Sequence, residues 1–156
     1  ADDETGGLLG DALAETWRSN EAREAYQQAA RIAPGKVEHH LRLGRHCRAQ
    51  GQLDAALGHL QRAQEFARYH PEVLRETGQV FTSRHQYDRA YAVYEELITL
   101  EPECADHYYH AGVALKSLRD YSEAGRHFQR AAELNPENVD AERQRLAVSA
   151  LGLLNG

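Results

Sequence analysis

The amino-acid sequence predicts an all-α fold built from four helix-turn-helix repeats, and the regular spacing of small residues is the main evidence. Consecutive windows of 34 residues align without a gap, at Asp3–Lys36, Val37–His70, Pro71–Cys104 and Ala105–Asn138. The eighth place of every window is glycine and the twentieth is alanine: Gly10, Gly44, Gly78, Gly112, Ala22, Ala56, Ala90 and Ala124. A fixed period between 20 and 50 residues is typical of solenoids, in which each repeat buries its apolar face against its neighbours.

The small residues have a packing role in this prediction. Glycine on one helix and alanine on the next let the two helices of a repeat approach closely, and larger side chains fill the space around them. A third column is expected to accommodate the following repeat, at Ala29, Ala63, Leu97 and Ala131. The large residues expected to fill the core include Leu43, Tyr87, Tyr94, Tyr121 and Phe128.

The period and its residues resemble the tetratricopeptide repeat family. The last window carries the family's motif at Tyr108, Ala111, Gly112, Leu115, Ala124, Phe128 and Pro136. This resemblance covers residues 3–138 and implies a right-handed superhelix of four helix pairs, with a capping helix over residues 139–153. We therefore expect one domain over residues 1–156, with repeats at 3–36, 37–70, 71–104 and 105–138.

Each second helix is expected to begin at a capping residue in the eighteenth place of its window. Asparagine, aspartate and serine accept bonds from the free backbone N–H groups of a helix start. That column holds Asn20, Asp54, Asp88 and Ser122. Proline cannot continue a helix, so the second helices are expected to stop at Pro34, Pro102 and Pro136. In the second repeat the stop moves to Pro71, which predicts a helix about one turn longer.

The first helix is predicted to be short. Glycine disfavours helix, so the Gly6-Gly7 pair places its start at Leu8 and its end at Trp17. The acidic segment Ala1–Thr5 is expected to be frayed. Trp17 is expected to be packed in the core or in an interface.

The segment after Pro136 has a helical pattern but does not restart the motif. Asn138 is expected to cap this last helix, and Val139, Leu146 and Leu151 are expected to cover the last repeat.

Charge and composition limit the classes of function. The 156 residues carry a formal net charge of −6, and a modestly acidic chain lacks the basic footprint of a general nucleic-acid binder. No apolar run approaches the roughly 18 residues of a membrane span, so no membrane insertion is expected. Two cysteines do not suggest a disulfide framework and fit a reducing compartment. A cytoplasmic location is favoured, and a periplasmic one stays open if Ala1 is a processed terminus.

The resemblance implies a ligand groove on the concave face formed by the first helix of each repeat. The residues at its lining positions are Arg42, Arg45, Arg48, Arg75, Gln79, Thr82, Tyr109, His110, Val113 and Lys116. Arginine forks suit carboxylates, so one interpretation is a groove for an extended or helical peptide with acidic groups. Gln79 and Thr82 would then bond the peptide backbone, and Tyr109 would provide apolar contact. The alternative is a solvated face whose arginine and glutamate side chains pair between adjacent repeats.

The predicted function is a non-catalytic scaffold that binds a protein or peptide and needs no cofactor. The sequence has no glycine-rich phosphate loop and no nucleophile elbow. Cys104, His107 and His110 have a metal-like spacing, but no carboxylate clearly completes the set, so we expect no metal. Two alternatives are a homo-oligomer that stacks repeat ends and a domain that positions substrate for a larger enzyme.

Overall fold

Helices and the turns between them make up the part of the chain that the structure describes, residues 2–155. Within these residues this computed structural model contains four helix pairs and a ninth helix, so the all-α class and the helix-turn-helix repeats are confirmed. The helices are α1 Asp3–Glu15, α2 Ser19–Ile32, α3 Val37–Ala49, α4 Leu53–Phe66, α5 Pro71–Ser83, α6 Tyr87–Leu100, α7 Ala105–Ser117, α8 Tyr121–Leu134 and α9 Val139–Leu154. Each predicted window begins at the first residue of a first helix, so the 34-residue frame coincides with the helix boundaries.

The chain divides into two compact units, Ala1–Glu76 (unit 1) and Thr77–Gly156 (unit 2). Unit 1 contains α1 to α4 and the start of α5, and unit 2 contains the rest of α5 and α6 to α9. Ala1 and Gly156 themselves lie outside the described residues. The single domain over residues 1–156 stays a prediction.

The glycine column allows the two helices of each repeat to pack closely. A Cβ atom added to Gly44 would lie 2.8 Å from the Leu60 side chain, and one added to Gly112 would lie 2.8 Å from the Phe128 ring. Gly10 faces Tyr26 and Gly78 faces Tyr94 in the same way. The alanine column is fully buried in all four repeats, and so is the third column. Close packing around these small residues is therefore as predicted.

A Schellman motif ends the first helix of every repeat. The fifteenth place of each window has a positive φ angle: Trp17 63°, Gly51 73°, His85 58° and Arg119 65°. In each case the N–H of the next residue donates to a carbonyl five residues back, as from Arg18 to Leu13 at 3.0 Å. This bond and the left-handed residue are the two defining features of the motif.

The Schellman turns explain why the predicted capping column was wrong. The second helices begin directly after the turn, so their N-cap residues are Arg18, Gln52, Gln86 and Asp120. Of these side chains only Asp120 caps its helix, by accepting from the N–H of Glu123 at 3.2 Å. The predicted capping residues instead lie in the second helical position, where a carboxylate such as that of Asp88 favours the helix dipole.

The predicted start of α1 was also wrong, because the helix begins at Asp3 rather than Leu8. The Asp2 side chain accepts from the N–H of Thr5 at 2.6 Å and caps the helix, so residues 3–5 are helical rather than frayed. Gly6 packs against Ala29 of α2, where an added Cβ would lie 3.3 Å from the Ala29 Cβ. The glycine pair thus serves close packing, and tertiary contacts outweigh its low helix propensity.

The second helix of repeat two is not longer than the others, contrary to the prediction from Pro71. It ends at Phe66 and has 14 residues, as α2, α6 and α8 have. Ala67 leaves the helix at φ −147° and ψ 83°, close to the values of Asn135, which precedes Pro136. Proline is therefore not required for the stop.

Two further predictions, on the residues of α9 that cover the last repeat and on Trp17, need correction. Asn138 caps α9 as predicted, by accepting from the N–H of Asp140 at 3.1 Å. However, Val139 and Leu146 are exposed, and the buried residues of α9 are Ala141 and Val148. Trp17 does not lie in the core: it is 94% exposed, because the left-handed turn directs it away from the helix pair, and its place in an interface stays a prediction.

Candidate protein-binding site

The predicted groove residues lie on the first helices of three repeats. In unit 1, Arg42, Arg45 and Arg48 are on α3 and Arg75 is on α5. In unit 2, Gln79 and Thr82 are on α5, and four residues are on α7: Tyr109, His110, Val113 and Lys116. A row at a spacing of three residues follows one face of a helix, which explains the shared face of the α3 arginines.

Three of the arginines form an ion-pair network with two glutamates, which we call the arginine lattice (Arg45, Arg48, Arg75, Glu72 and Glu76). Arg45 Nε donates to Glu76 Oε1 at 2.9 Å, and Arg48 Nε donates to Glu76 Oε2 at 2.8 Å. Arg75 Nη1 donates to Glu72 Oε1 at 2.7 Å, and Arg45 also bonds Glu72. Hydrogen bonds from Arg75 and then Arg45 hold the pKa of Glu72 below its usual range. The lattice therefore corresponds to the internal pairing that the sequence left as an alternative.

Arg42 stands apart from the lattice and faces α1. Its Nε lies 3.3 Å from Asp11 Oδ2 and 3.9 Å from Glu38 Oε1. The other oxygen of Asp11 accepts from the Tyr26 hydroxyl at 2.9 Å. Gly7 lies against the Arg42 guanidinium, in a space that a larger residue would fill. Glycine in α1 thus makes room for a charged side chain of α3.

Two adjoining cavities open between α1 and α3, and together we call them the α1–α3 cleft. The first has a volume of about 330 Å³ and is lined by Asp11, Ala14, Tyr26, Glu38, Arg42, Arg45, His46 and Ala49. The second has a volume of about 420 Å³ and is lined by Ala14, Trp17, Ser19, His46, Ala49 and Gln50. The two cavities share Ala14, His46 and Ala49 in their linings, so they are neighbours in unit 1.

The predicted residues of unit 2 make contacts within their own unit. The His110 ring stacks on Tyr94 with centroids 5.4 Å apart, and Tyr109 meets the edge of Phe128 at 5.7 Å. Lys116 Nζ donates to Gln144 at 2.8 Å. The Thr82 hydroxyl donates to the Gly78 carbonyl at 2.9 Å, so part of its bonding capacity is used within α5. Gln79 and Val113 are half-buried.

The histidines of the metal-like motif have other roles. His107 is buried, and its Nε2 lies 2.8 Å from Glu101 Oε1. His39 occupies the same place of its window and is likewise buried, with Nε2 2.8 Å from Asp3 Oδ2. Within residues 2–155, no group of three or more histidine, cysteine or acidic residues is arranged to hold a metal ion. These histidine–carboxylate pairs join neighbouring elements instead.

The sequence analysis did not predict the second cavity or that Trp17 lines it. The repeat alignment contains one indication, since Trp17 occupies the same place of its window as Gly51. A glycine in that column indicates a left-handed turn, and a large residue there projects into solvent.

Comparison with known proteins identifies the family. A profile described as tetratricopeptide repeat matches residues 8–71 and 75–139, which is most of the chain. The chain belongs to the tetratricopeptide repeat family. Proteins of this family are typically non-enzymatic scaffolds for protein–protein interaction. No curated protein matches the chain.

Several solved structures have a similar fold at low sequence identity. MamA 41-end from Desulfovibrio magneticus RS-1 is 18% identical, has a TM-score of 0.90, and the match covers 96% of this chain and 85% of that one. Another MamA structure is 21% identical with a TM-score of 0.88, covering 97% and 83%. PilF of Pseudomonas aeruginosa is 18% identical with a TM-score of 0.82, covering 94% and 67%. Identities at this level establish the shared fold alone.

The structure also bears on the membrane question. Among the described residues, none of the helices has both the length and the apolar character needed to span a bilayer.

Proposed function

We propose that this chain is a non-catalytic scaffold that binds a partner protein through the faces of its first helices. The observation that carries the proposal is the α1–α3 cleft. It is an open recess of the size of a few side chains, and the predicted groove residues Arg42 and Arg45 line it. Recesses that combine apolar walls with a few fixed polar groups are typical binding sites.

The arginine lattice supports this proposal by fixing the shape of the face. Glu76 is 7% exposed and bonds both Arg45 and Arg48, so the two arginine side chains are held in one geometry. Side chains that are ordered before binding lose less conformational entropy when a partner arrives. In unit 2, ring contacts order Tyr109 and His110 in a comparable way.

The charge of the partner is a separate question. Arg42, Arg45, Arg48 and Arg75 are paired with Asp11, Glu38, Glu72 and Glu76. The four arginines are thus balanced by four carboxylates, so this surface presents little uncompensated positive charge to an acidic partner. Preference for an acidic peptide stays a prediction, and these ion pairs do not favour it.

The proposal is tested by capturing a partner and then measuring its binding to purified variants. Arg42→Ala removes a side chain that lines the α1–α3 cleft and leaves the arginine lattice intact. Arg45→Glu with Arg48→Glu reverses the charge of two side chains on this face. Both variants should bind the captured protein at least about tenfold more weakly, because a buried contact or charge is lost. Equal binding by wild type and both variants would contradict the proposal.

A matched control separates net charge from the site. Arg126→Glu with Arg143→Glu makes the same charge change at side chains that are 74% and 72% exposed on α8 and α9. This variant should bind the partner as wild type does. Thermal unfolding of each variant shows whether it is folded, which matters most for Arg45→Glu beside the buried Glu76.

Self-association is a second candidate, favoured by exposed leucines. Leu8 and Leu9 of α1 are 59% and 52% exposed. Leu9 and Leu13 both line a cavity of about 420 Å³. Leu153 and Leu154 of α9 are more exposed still. Exposed apolar patches often mark contact surfaces. If copies of the chain stack through these leucines, light scattering will show a mass that rises with concentration, and Leu8→Glu with Leu9→Glu will abolish the rise.

A further inference from the structure

His46 of α3 is a buried histidine at the contact between α2 and α3. Only 7% of its surface is exposed. Its Nε2 lies 3.2 Å from the Ser19 hydroxyl, and its ring meets that of Tyr26 with centroids 5.7 Å apart. Ser19 and Tyr26 are seven residues apart on one face of α2, so His46 packs against that face over two turns.

Arg23 lies on the same face of α2, between the two residues that contact His46. It follows Ser19 by four positions and precedes Tyr26 by three, which is the spacing of neighbours on one helical face. Its Nη2 donates to Gln52 Oε1 at 2.9 Å, and its Nε is buried without a hydrogen-bond partner. Within residues 2–155 no carboxylate forms an ion pair with Arg23, so its positive charge has no counter-ion there.

The other charged groups beside His46 balance one another. Two carboxylates and two arginines line the same cavity as its ring: Asp11, Glu38, Arg42 and Arg45. Arg42 lies 3.3 Å from Asp11 and 3.9 Å from Glu38, and Arg45 pairs with two glutamates of α5. The charge near the ring that is not compensated is therefore that of Arg23.

Two further titratable groups lie near Arg23, and neither supplies a negative charge. Burial raises the pKa of the Cys47 thiol, which keeps it protonated. Burial, and then the charges of His40 and Arg23, lower the pKa of His59. The surroundings of Arg23 thus disfavour a second cation.

The same causes act on His46. Burial, and then the charge of Arg23, lower the pKa of His46 below the usual 6.5, and a hydrogen bond with Ser19 has a smaller, opposite effect. Below pH 6.5 the unfolded chain takes up a proton that the folded chain resists. The stability that a neutral His46 contributes is therefore complete above pH 6.5 and is lost as pH falls from there towards the folded pKa.

We propose that His46 makes the packing of α2 on α3 sensitive to acid. While its ring is neutral, the contacts with Ser19 and Tyr26 are intact. A proton on the ring places a second positive charge beside Arg23 in a buried contact, and an unpaired buried charge is costly. Helices α2 and α3 then separate more readily. This property belongs to the fold of unit 1 and goes beyond the proposed function, because it does not require a partner.

Urea unfolding of wild type and His46→Gln at pH 7.5 and pH 5.0 tests the proposal. Glutamine keeps a polar group that can bond Ser19 and carries no titratable charge. Between the two pH values, the equilibrium constant for unfolding should rise in wild type by a factor at least about five times larger than in the variant. Equal factors would overturn the proposal.

Variants of Arg23 separate charge from packing. Arg23→Gln removes the positive charge, and Arg23→Lys keeps it as the matched control. NMR titration of the His46 ring, in the folded protein and in urea, should give the lower pKa in the folded protein. Arg23→Gln should raise that folded value and Arg23→Lys should leave it unchanged. A folded pKa of His46 at or above the value in urea would overturn the proposal, even if His46→Gln does not fold.

Hydrogen exchange locates the change within the chain. After correction for the intrinsic exchange rate, the amides of α2 and α3 should lose more protection between pH 7.5 and pH 5.0 than those of α7 and α8. In His46→Gln this difference should disappear. Equal loss of protection in both units of the wild type would overturn the proposal, because the acid sensitivity would then not originate at His46.

Discussion

The glycine at the eighth place of each window sets the distance between the two helices of its repeat. At Gly112 an added Cβ would lie 2.8–3.0 Å from three atoms of the Phe128 ring, closer than real contacts allow. Phe128 is fully buried, so the ring has little room to move. The same fit recurs with Tyr26, Leu60 and Tyr94.

A leucine at Gly112 is therefore expected to overpack the repeat. Gly112→Leu should lower the free energy of unfolding in urea by about 1–3 kcal/mol. Gly58→Leu is the matched control, because nothing lies within 4 Å of an added Cβ at that exposed site of α4. That control should raise the free energy of unfolding by roughly 0.5–1 kcal/mol, since leucine favours helix over glycine. Equal effects of the two variants would show that close approach is not the reason for glycine.

Asp3 illustrates a single charge that joins two helices. Its carboxylate lies 2.7 Å from Lys36 Nζ and 2.8 Å from His39 Nε2, and this connects α1 to the start of α3. Hydrogen bonds from Lys36 and then His39 lower the pKa of Asp3 from 3.8 to about 2. A carboxyl group whose pKa is lower in the folded state stabilises the fold above its unfolded pKa, and that contribution is lost as pH falls through the folded value.

Asp3→Asn should thus reduce stability in a pH-dependent way. The difference in free energy of unfolding between wild type and the variant should be largest above pH 3.8 and should shrink as pH falls towards 2. Urea unfolding at several pH values measures this difference. A difference that stays constant across the range would mean that the Asp3 charge does not act as described.

At the scale of the element, the Schellman turns define where helices end and begin. Their left-handed residue is glycine only in the second repeat, at Gly51, and is Trp17, His85 and Arg119 in the others. The bonding pattern of the turn is the same in all four cases. Backbone hydrogen bonds rather than the side chain thus determine the turn, and the three larger residues adopt a costly conformation.

This cost can be measured at Gly51, because nothing lies within 4 Å of a Cβ added there. Gly51→Ala should lower the free energy of unfolding by about 1 kcal/mol from backbone strain alone. Arg119→Gly, at an exposed site, should cause no loss, since relief of strain offsets the chain entropy of glycine. Thermal or urea unfolding gives both values. A Gly51→Ala variant with an unchanged free energy of unfolding would show that this backbone conformation is not strained.

At the scale of the whole molecule, charge decides which partners are excluded. Asp and Glu outnumber Lys and Arg by 24 to 18, and many of the arginines lie beside acidic residues of the same helix, as Arg126 does beside Glu123. Non-specific binding of nucleic acid depends on free basic groups that release counterions from the phosphate backbone.

We therefore expect no binding of duplex DNA or RNA of random sequence. In a mobility-shift experiment at low salt the dissociation constant should be weaker than about 10⁻⁴ M. Tighter binding that weakens steeply with added salt would contradict this expectation, because it would show a basic surface that is not neutralised by ion pairs.

The repeat frame could be predicted from the sequence because packing between two helices demands small residues at fixed places. The windows that begin at Asp3, Val37, Pro71 and Ala105 match the starts of α1, α3, α5 and α7. The start of α1 could not be predicted from local propensity, because the contact of Gly6 with Ala29 joins residues far apart in sequence. The capping column failed for a similar reason, since the preceding turn sets the start of each second helix.

The groove residues stay a prediction, and their ion pairs could not be read from the sequence. Two of these residues, Arg42 and Arg45, border the α1–α3 cleft. Arg45 pairs with glutamates about 30 positions away, and Arg42 pairs with Asp11 at a similar separation, so only folding brings these charges into contact.

The amino-acid sequence by itself determined the fold class, the period and the family, because these follow from small residues that recur at fixed places along the chain. The tertiary structure alone decided that the arginines form a lattice, that Trp17 is exposed at a left-handed turn, and that a recess opens between α1 and α3. Each of these depends on distances between side chains of different helices, and no local pattern encodes such distances.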